Sequence, residues 1–425
     1  MNTTEQQDSY SHILKYTGVF GGVQGLNILV GIVRNKLVAI ILGPAGMGLI
    51  SLFNSTIKFF SDSTNLGVPM SAVKEVSEAY SQGNDEVLGH CVQQVRMWSV
   101  LTALLGMLLC AAFGPLLNKG TFTWGNHTLH FVLLSPIVAF MALTGGEMAI
   151  LKGTRKLGRL AVLSVYNVVL SLLISVPLYY IWHQAAIVPS LVLLSGLQMV
   201  ITLRYSYQLF PLRPFWHCKG EAIGWGIVKL GTAFVLAGIL GSGAEFLIRT
   251  YLNYVGGLSD VGMYNAAYMM TMTYAGMVFS AMETDYFPRL SGIRDVGDQL
   301  NRTVSRQIEV SLLLIAPMLV GLLVGLPILL PLLYSNAFLP MIHMMRITVL
   351  AMFFRAVSLP IEYIALAKGD SKSYLALECF YDVLMVLLVI FGYHAAQLTG
   401  TGIALLGASA LNTVTVILYM HHKYS

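Results

Sequence analysis

Charged residues are scarce in this chain of 425 residues. Only 11% are Asp, Glu, Lys or Arg, whereas 56% are hydrophobic and the mean hydropathy is +0.71. A soluble domain carries about 25% charged residues. So little charge excludes an ordinary soluble domain and predicts a polytopic membrane protein that uses lipid as its solvent. The net charge of +5 needs no nucleic-acid partner, because an excess of Lys and Arg is the normal topological signal of such proteins.

Other features that are missing exclude further classes. No stretch alternates apolar and polar residues over ten positions between turn signals, which excludes an outer-membrane barrel. The four cysteines have no metal-ligand spacing, so neither a zinc site nor a disulfide framework is expected; they are Cys91, Cys110, Cys218 and Cys379. The polar start MNTTEQQDSYSHILK has no basic n-region, and we expect the first helix to be retained.

Long apolar stretches predict an all-α fold of about twelve transmembrane helices. Each stretch has 18 or more residues, enough to cross a hydrocarbon core of about 30 Å. The predicted spans lie near 16–40, 46–69, 92–117, 128–151, 160–182, 187–209, 223–245, 259–283, 309–333, 341–366, 374–395 and 399–421. Most of the 25 Lys and Arg residues fall on the flanks that are cytoplasmic if the N-terminus is. This bias predicts that both termini face the cytoplasm.

The chain contains a weak internal repeat with an offset of about 214 residues. "ILKYTGVF" lies over "IVKLGTAF", "GPAGMGLI" over "GLSDVGMY", and "AILKGTRK" over "ALAKGDSK". An offset of six helices makes the halves parallel repeats. We therefore predict two six-helix lobes around a central cavity: an N-lobe at 1–210, a cytoplasmic linker at 211–222 that includes Pro211 and Pro214, and a C-lobe at 223–425.

Polar side chains within the first two spans form stripes on single helix faces. A charge at bilayer depth costs about 2.5 to 3.5 kcal/mol, so these stripes should face protein or water. The predicted cavity lining comprises Gln24, Asn27 and Arg34 on the first helix and Asn54, Lys58 and Asp62 on the second. Two simpler readings stay open: Lys58 and Asp62 form a pair one turn apart, or Arg34 and Lys36 extend to the outer headgroups.

The second half contributes further cations and several carboxylates. Arg249 lies one residue from the repeat position of Arg34, and Arg355 has Glu362 two turns away on the same face. Cations in a cavity suit an anionic substrate, and arginine grips phosphate at two points. The candidate phosphate ligands are Arg34, Lys58, Arg249 and Arg355. Glu378 and Asp382 lie one turn apart; they would share a proton or a cation, and an oxygen ligand from Asn412 would suit sodium. Glu147 is an intramembrane carboxylate for which the sequence suggests no partner.

One group of transporters resembles this chain in the order of its features. Those features are Lys15, Arg34, the stretch "ILGPAGMGL", a polar second helix and a duplicated set of six helices. The chain is similar to the oligosaccharide-lipid flippases of the multidrug/oligosaccharidyl-lipid/polysaccharide (MOP) superfamily, and most to the Wzx-type translocases of O-antigen and related polysaccharides. The topology resembles them over the whole chain, whereas a recognisable motif is confined to residues 12–66.

The resemblance implies a function and a set of site residues. The substrate would be an undecaprenyl-diphosphate-linked oligosaccharide, passed from the cytoplasmic to the periplasmic leaflet of the bacterial inner membrane by alternating access. Arg34 in "GIVRN" falls where the related lipid II flippases have a diphosphate-contacting arginine in a "GFARD"-like stretch. Tyr268 stands where they have an arginine in a "YYADR"-like run, which argues against lipid II as the substrate.

Glu378 and Asp382 lie where some members of the superfamily have a cation-coordinating pair on the eleventh helix. Those members also carry an acidic residue on the seventh helix, and the stretch "KLGTAFVLAGILGSG" lacks it. Coupling is therefore expected to a proton or sodium gradient or to the membrane potential, without a bound cofactor. We expect a monomer, with polysaccharide polymerase machinery as a candidate partner. The alternatives are a multidrug or metabolite exporter of the same superfamily and, less favoured, a membrane polymerase or ligase, for which no catalytic cluster is visible.

Overall fold

The computed structural model describes residues 3–121, 128–211, 225–273 and 297–424, together with positions 276, 279, 286–287 and 289–293. The side chains of residues 3–21, 24, 120–121, 225–234 and 272–273 lie outside this description. The predicted lining residue Gln24 is among them. Over the described ranges the regular secondary structure is helical, and no strand occurs.

Eleven α-helices account for most of the described chain. They are α1 (Thr3–Thr64), α2 (Val68–Ser81), α3 (Asp85–Thr121), α4 (Thr128–Gly153), α5 (Leu157–Trp182), α6 (Ile187–Tyr207), α7 (Trp225–Val255), α8 (Leu258–Tyr268), α9 (Asp298–Leu333), α10 (Ile342–Ala367) and α11 (Ser371–Tyr424). Short 3-10 segments, His183–Ala186 and Asn336–Met341, precede α6 and α10, and a π-helical turn, Met269–Thr273, continues α8.

Eight stretches of the described chain are long and apolar enough to cross a membrane. Three of them contain a break, and each break divides the stretch into two of the predicted spans. The breaks lie at Gly43 in α1, at the 3-10 segment between α5 and α6, and at Ala396 and Gln397 in α11. The prediction of an all-α polytopic membrane protein is confirmed.

The outward faces of these helices are apolar. On α9, for example, Leu313, Val324 and Ile328 are each at least 74% exposed. Large exposed aliphatic side chains are unfavourable in water but match the hydrocarbon of a bilayer. Proline is also frequent inside the helices, with Pro317, Pro327 and Pro331 in α9, which is tolerated in membrane helices.

Helix α2 is an element that the sequence did not reveal. It begins after Gly67, which has a positive φ of 72°, and it has a proline in its first turn. Its apolar face packs with residues of α3 and α4 in one core cluster. The buried residues of that face are Val68, Ala72, Val76 and Ala79.

The chain divides into two compact units. One comprises Met1–Ile41, Thr64–Gly114 and Thr128–Thr232; the other comprises Leu42–Ser63, Pro115–His127 and Ala233–Ser425. The lobe boundaries expected from the repeat, 1–210, 211–222 and 223–425, stay a prediction, as does the central cavity.

Within the second unit, the glycines matched by the repeat meet in space. Gly43 and Gly257 both have positive φ values, 63° and 92°, with extended ψ values of −172° and 178°. The helical segments that follow them cross so closely that a Cβ atom on Gly48 would overlap the Leu258 carbonyl, and one on Gly262 would overlap the Pro44 carbonyl. The two repeat motifs therefore pack on each other reciprocally, and glycine is required because nothing larger fits.

Candidate substrate and coupling sites

Arg34 lies on α1 within the first unit and is held by hydroxyl groups. Its Nε donates to Ser175 Oγ at 3.1 Å, and it also interacts with the Tyr179 hydroxyl. Tyr179 is fully buried and accepts a hydrogen bond from Ser190 Oγ at 2.8 Å. Within the described chain Arg34 forms no ion pair with a carboxylate. The side chain is thus fixed by neutral partners and keeps its positive charge available to an anion.

The same face of α1 carries a second polar residue that contacts α5. Asn27 donates from Nδ2 to Ser164 Oγ at 2.5 Å, while its Oδ1 is buried and has no hydrogen-bond partner among the described groups. Asn27 and Arg34, two turns apart, therefore dock against α5 through Ser164 and Ser175. The stripe that was predicted to line a cavity lies partly against protein at these two positions.

The polar stripe on the part of α1 that follows Gly43 is exposed to a large extent. Asn54 and Lys58 are exposed and lie one turn apart, with Asp62 half-buried one turn further along. Exposed polar side chains in the middle of an apolar span are incompatible with direct contact to hydrocarbon. This face therefore adjoins water or a polar ligand.

Lys58 does not pair with Asp62 one turn away, which was one of the simpler readings. Instead its Nζ lies 3.0 Å from Glu245 Oε1 on α7. The other oxygen of that carboxylate, Oε2, lies 3.2 Å from Arg249 Nη1. Arg249 also donates to Ser51 Oγ at 2.9 Å and to Asn265 Oδ1 at 3.1 Å.

Arg355 on α10 pairs with the carboxylate seven residues later. Its Nη1 lies 3.5 Å from Glu362 Oε2, and its guanidinium carbon lies 5.6 Å from the centre of the Tyr381 ring. Glu362 is buried and accepts a hydrogen bond from Asn412 Nδ2 at 2.9 Å. Asn412, predicted as a ligand of a coupling ion, thus binds a carboxylate on α10.

The predicted carboxylate pair of α11 lies beside this group. Asp382 is 7% exposed, and its Oδ2 has no hydrogen-bond partner among the described groups. Glu378 is half-buried, close to Arg355 and the Tyr374 hydroxyl. Tyr268 stacks on Tyr264 with ring centres 6.0 Å apart. Across the described residues, no cluster of three or more His, Cys, Asp or Glu side chains could hold a metal ion.

Glu147 has a partner that sequence reasoning missed. Arg96 of α3 forms two hydrogen bonds with its carboxylate, at 2.7 and 3.2 Å, and Ser206 Oγ donates to it at 2.5 Å. Arg96 and Glu147 are both at most 6% exposed, and the guanidinium stacks on Tyr207 at 4.3 Å. Arg96 lies four residues inside the predicted span 92–117 and is buried in a polar cluster between helices.

Of the four predicted phosphate ligands, Lys58, Arg249 and Arg355 form ion pairs, and Arg34 forms none with the part of the chain that the structure describes. Glu245, which sequence reasoning did not identify, contacts both Lys58 and Arg249. Sequence reasoning missed Glu245 and Arg96, and with Arg96 the partner of Glu147. The Lys58–Glu245 and Arg96–Glu147 pairs each join two helices, at separations of 187 and 51 residues.

Comparison with known proteins gives a consistent assignment. The family model for polysaccharide biosynthesis protein matches residues 37–343. The lipid III flippase of Escherichia coli (strain K12) is 23% identical over 411 residues, which cover 93% of this chain and 92% of that protein.

Two solved structures share the fold. A multidrug resistance MATE family transporter of the MOP superfamily, inward-facing, aligns with a TM-score of 0.75 and 15% identity over 94% of each chain. The lipid II flippase MurJ, inward closed, aligns with a TM-score of 0.76 and 14% identity over 95% of this chain and 87% of that one. The predicted superfamily resemblance and the prediction of a transporter rather than an enzyme are confirmed. The chain belongs to the polysaccharide biosynthesis protein family and has the fold of MOP-superfamily transporters.

Proposed function

We propose that this protein is a flippase for a polyprenyl-diphosphate-linked oligosaccharide, an O-antigen or related repeat unit carried on undecaprenyl diphosphate. It moves the lipid from the cytoplasmic to the periplasmic leaflet of the bacterial inner membrane by alternating access. The observation that carries the proposal is Arg34, a cation inside an apolar span that is held by Ser175 and Tyr179 and has no carboxylate partner among the described residues.

The chemistry of the substrate explains why such a cation is useful. A diphosphate cannot enter hydrocarbon without replacement of its hydration, and an intramembrane arginine supplies both charge and N–H donors. Hydrogen bonds to hydroxyl groups fix the orientation of the arginine but do not neutralise its charge. The full charge can therefore interact with the ligand. The polyprenyl tail needs no polar protein group, since it is as apolar as lipid.

The relatives support the same substrate class. The curated relative is named a lipid III flippase, and one structural neighbour is named a lipid II flippase. By analogy, the ligand of this chain is also a lipid-linked precursor. Fold analogy alone does not specify a substrate, so the proposal depends on Arg34 and its surroundings.

The remaining predicted ligands receive more limited roles. Lys58 is proposed to face the substrate, because its side chain is 48% exposed. Arg249 and Arg355 pair with Glu245 and Glu362; their role in this proposal is to hold those acids. Asn54, Asp62 and Tyr268 stay proposed lining residues beside the glycan or diphosphate.

Energy coupling is proposed at the acidic group of α10 and α11. Asp382 has a buried oxygen without a hydrogen-bond partner among the described groups, and the same is true of Asn412 Oδ1. Buried unpaired oxygens favour uptake of a proton or a hard cation. A proton gradient, a sodium gradient or the membrane potential would then drive the cycle. The ionisation of Glu378 would set the net charge of this acidic group.

We further propose that both termini are cytoplasmic, that the transporter is a monomer and that it contacts polymerase machinery.

The test is binding of an undecaprenyl-diphosphate oligosaccharide to the purified protein in lipid nanodiscs. Arg34→Gln should weaken binding by about 10- to 100-fold, since a hydrogen bond to a charged group is worth about 1.5 to 3 kcal/mol. Arg34→Lys should restore only part of the affinity, because it keeps the charge and loses the planar fork.

Arg204→Gln is the matched control. It removes one positive charge from an exposed position of α6, about 21 Å along the helix from Ser190 at 1.5 Å per residue, and should leave binding unchanged. Equal affinity of Arg34→Gln and the wild type would contradict the proposal. Binding of organic cations in place of the diphosphate lipid would favour the exporter alternative.

A further inference from the structure

Glu245 is the carboxylate that links two of the predicted substrate ligands, and nothing in the sequence motifs singles it out. Each of its oxygens contacts a different cation: Oε1 lies 3.0 Å from Lys58 Nζ, and Oε2 lies 3.2 Å from Arg249 Nη1. The group of three carries a net charge of +1. Its members differ greatly in exposure, and this difference separates their roles.

Arg249 has little capacity left for a ligand. Its side chain is 7% exposed, and its donors bind Ser51 Oγ, Asn265 Oδ1, the Glu245 carboxylate and the Glu245 main-chain oxygen. An arginine has five N–H donors, and four hydrogen bonds are already made. Arg249 therefore acts as a fixed support that holds Glu245 in one orientation.

Lys58 is in the opposite situation. Its side chain is 48% exposed, and its Nζ contacts the 25% exposed carboxylate of Glu245. An exposed pair between flexible side chains is worth about 0.2 to 1 kcal/mol, so this contact can be exchanged for another anion at little cost. Lysine is a point charge on a flexible stem, which allows Nζ to change partners without movement of the helix.

We propose that Glu245 is an internal competitor of the substrate. In the empty transporter it occupies Lys58, and the diphosphate must displace it to bind. Lys58 then moves from the carboxylate to a phosphate oxygen, while Arg249 keeps Glu245 in place to recapture Lys58 when the substrate leaves. This inference rests on the proposed function and gives a positioning role to a residue outside the predicted site.

The competitor makes physical sense for a carrier. A binding site in a transport path must be favourable enough to load and weak enough to unload. If every cation of the site lacked a carboxylate, the diphosphate would bind more tightly and leave more slowly. Glu245 lowers the net affinity by the free energy of the Lys58 contact and supplies an alternative partner for Lys58 at the moment of release.

The experiment is a double-mutant cycle on Lys58 and Glu245, with undecaprenyl diphosphate as the probe and nanodisc-embedded full-length protein. Glu245→Gln should tighten binding by about 2- to 5-fold, which corresponds to the free energy of an exposed pair. Lys58→Gln should weaken binding. The double variant should bind like Lys58→Gln alone, because Glu245 acts through Lys58. Glu78→Gln, which removes a carboxylate from the exposed Lys74 pair of α2, is the matched control and should have no effect.

The outcomes separate this inference from the proposed function. If the wild type does not bind the diphosphate lipid, both are wrong. If the wild type binds and Glu245→Gln binds equally or more weakly, the competitor role alone is wrong. Tighter binding that persists in the Lys58→Gln background would also overturn it, since the effect would then be general electrostatics. Glu245→Asp, which withdraws the carboxylate by one methylene, should tighten binding less than Glu245→Gln and serves if that variant does not fold.

Discussion

Loss of the Glu147 charge should be among the most destabilising single changes in the described membrane helices. In the Glu147→Gln variant, Arg96 stays buried and charged without its carboxylate, whose oxygens lie 2.7 and 3.2 Å from the guanidinium nitrogens. Removing one partner of a buried ion pair costs about 3 to 5 kcal/mol. The stack on Tyr207 and the hydrogen bond to the Phe210 carbonyl at 2.9 Å remain, so we expect a loss near the lower end, about 3 kcal/mol.

The assay is reversible unfolding in mixed micelles, with the free energy obtained by titration with a denaturing detergent. A second variant, Arg96→Met combined with Glu147→Gln, removes the isolated charge and should recover much of the loss. Glu78→Gln, in a pair that is 59% and 62% exposed, should change stability by less than about 1 kcal/mol. A loss below about 1 kcal/mol for Glu147→Gln, or simple additivity in the double variant, would refute the reasoning.

Two further predictions concern the packing and the loop chemistry. Gly48→Ala should destabilise the protein by about 1 to 3 kcal/mol in the same assay, because the new Cβ would overlap the Leu258 carbonyl. In the control variant Gly238→Ala the new Cβ meets no atom within 4 Å, so this change should be neutral or stabilising. Equal effects of the two variants would contradict the close crossing of the helices. Hydrogen bonds from Lys423 and Ser373 lower the pKa of Asp370, which lies between α10 and α11. The stabilisation is therefore fully present above the ordinary aspartate pKa of about 4 and is lost progressively as the pH falls below it towards the lowered pKa. Asp370→Asn should reduce the unfolding midpoint at pH 7 and reduce it less at about pH 3. An equal effect at both pH values would refute this assignment.

The helices themselves follow closely from the sequence. Apolar runs of sufficient length predict membrane helices because lipid requires the backbone to satisfy its hydrogen bonds internally. The match of "GPAGMGLI" with "GLSDVGMY" pairs Gly43 with Gly257, and the structure gives both glycines a positive φ. Helix α2 was missed because its 14 residues are too few and too polar to give a span signal.

The pairing of charged side chains was harder to predict from the sequence. Arg355 and Glu362 could be related from their spacing on one helix, and the structure joins them at 3.5 Å. The Arg96 and Glu147 pair joins different helices, as does the contact between Lys58 and Glu245. A single sequence carries no signal for such contacts, because helix spacing relates residues on the same helix only.

The same limit affected the interpretation of the candidate site. From sequence, Arg34, Lys58, Arg249 and Arg355 looked alike, since each is a cation within or near a span. Only their partners distinguish them: Arg34 contacts hydroxyl groups, and the other three contact carboxylates. The roles of these residues in binding stay predictions until the variants are measured.

The most direct test of the account is translocation of a fluorescent undecaprenyl-diphosphate-linked oligosaccharide in proteoliposomes that contain the purified protein. We predict that the wild type moves the lipid between leaflets, that Arg34→Gln slows the rate at least about 10-fold, and that Arg204→Gln transports at the wild-type rate. Transport by Arg34→Gln at the wild-type rate, or no translocation by the folded wild type, would contradict the central claim that Arg34 holds the diphosphate of a flipped lipid.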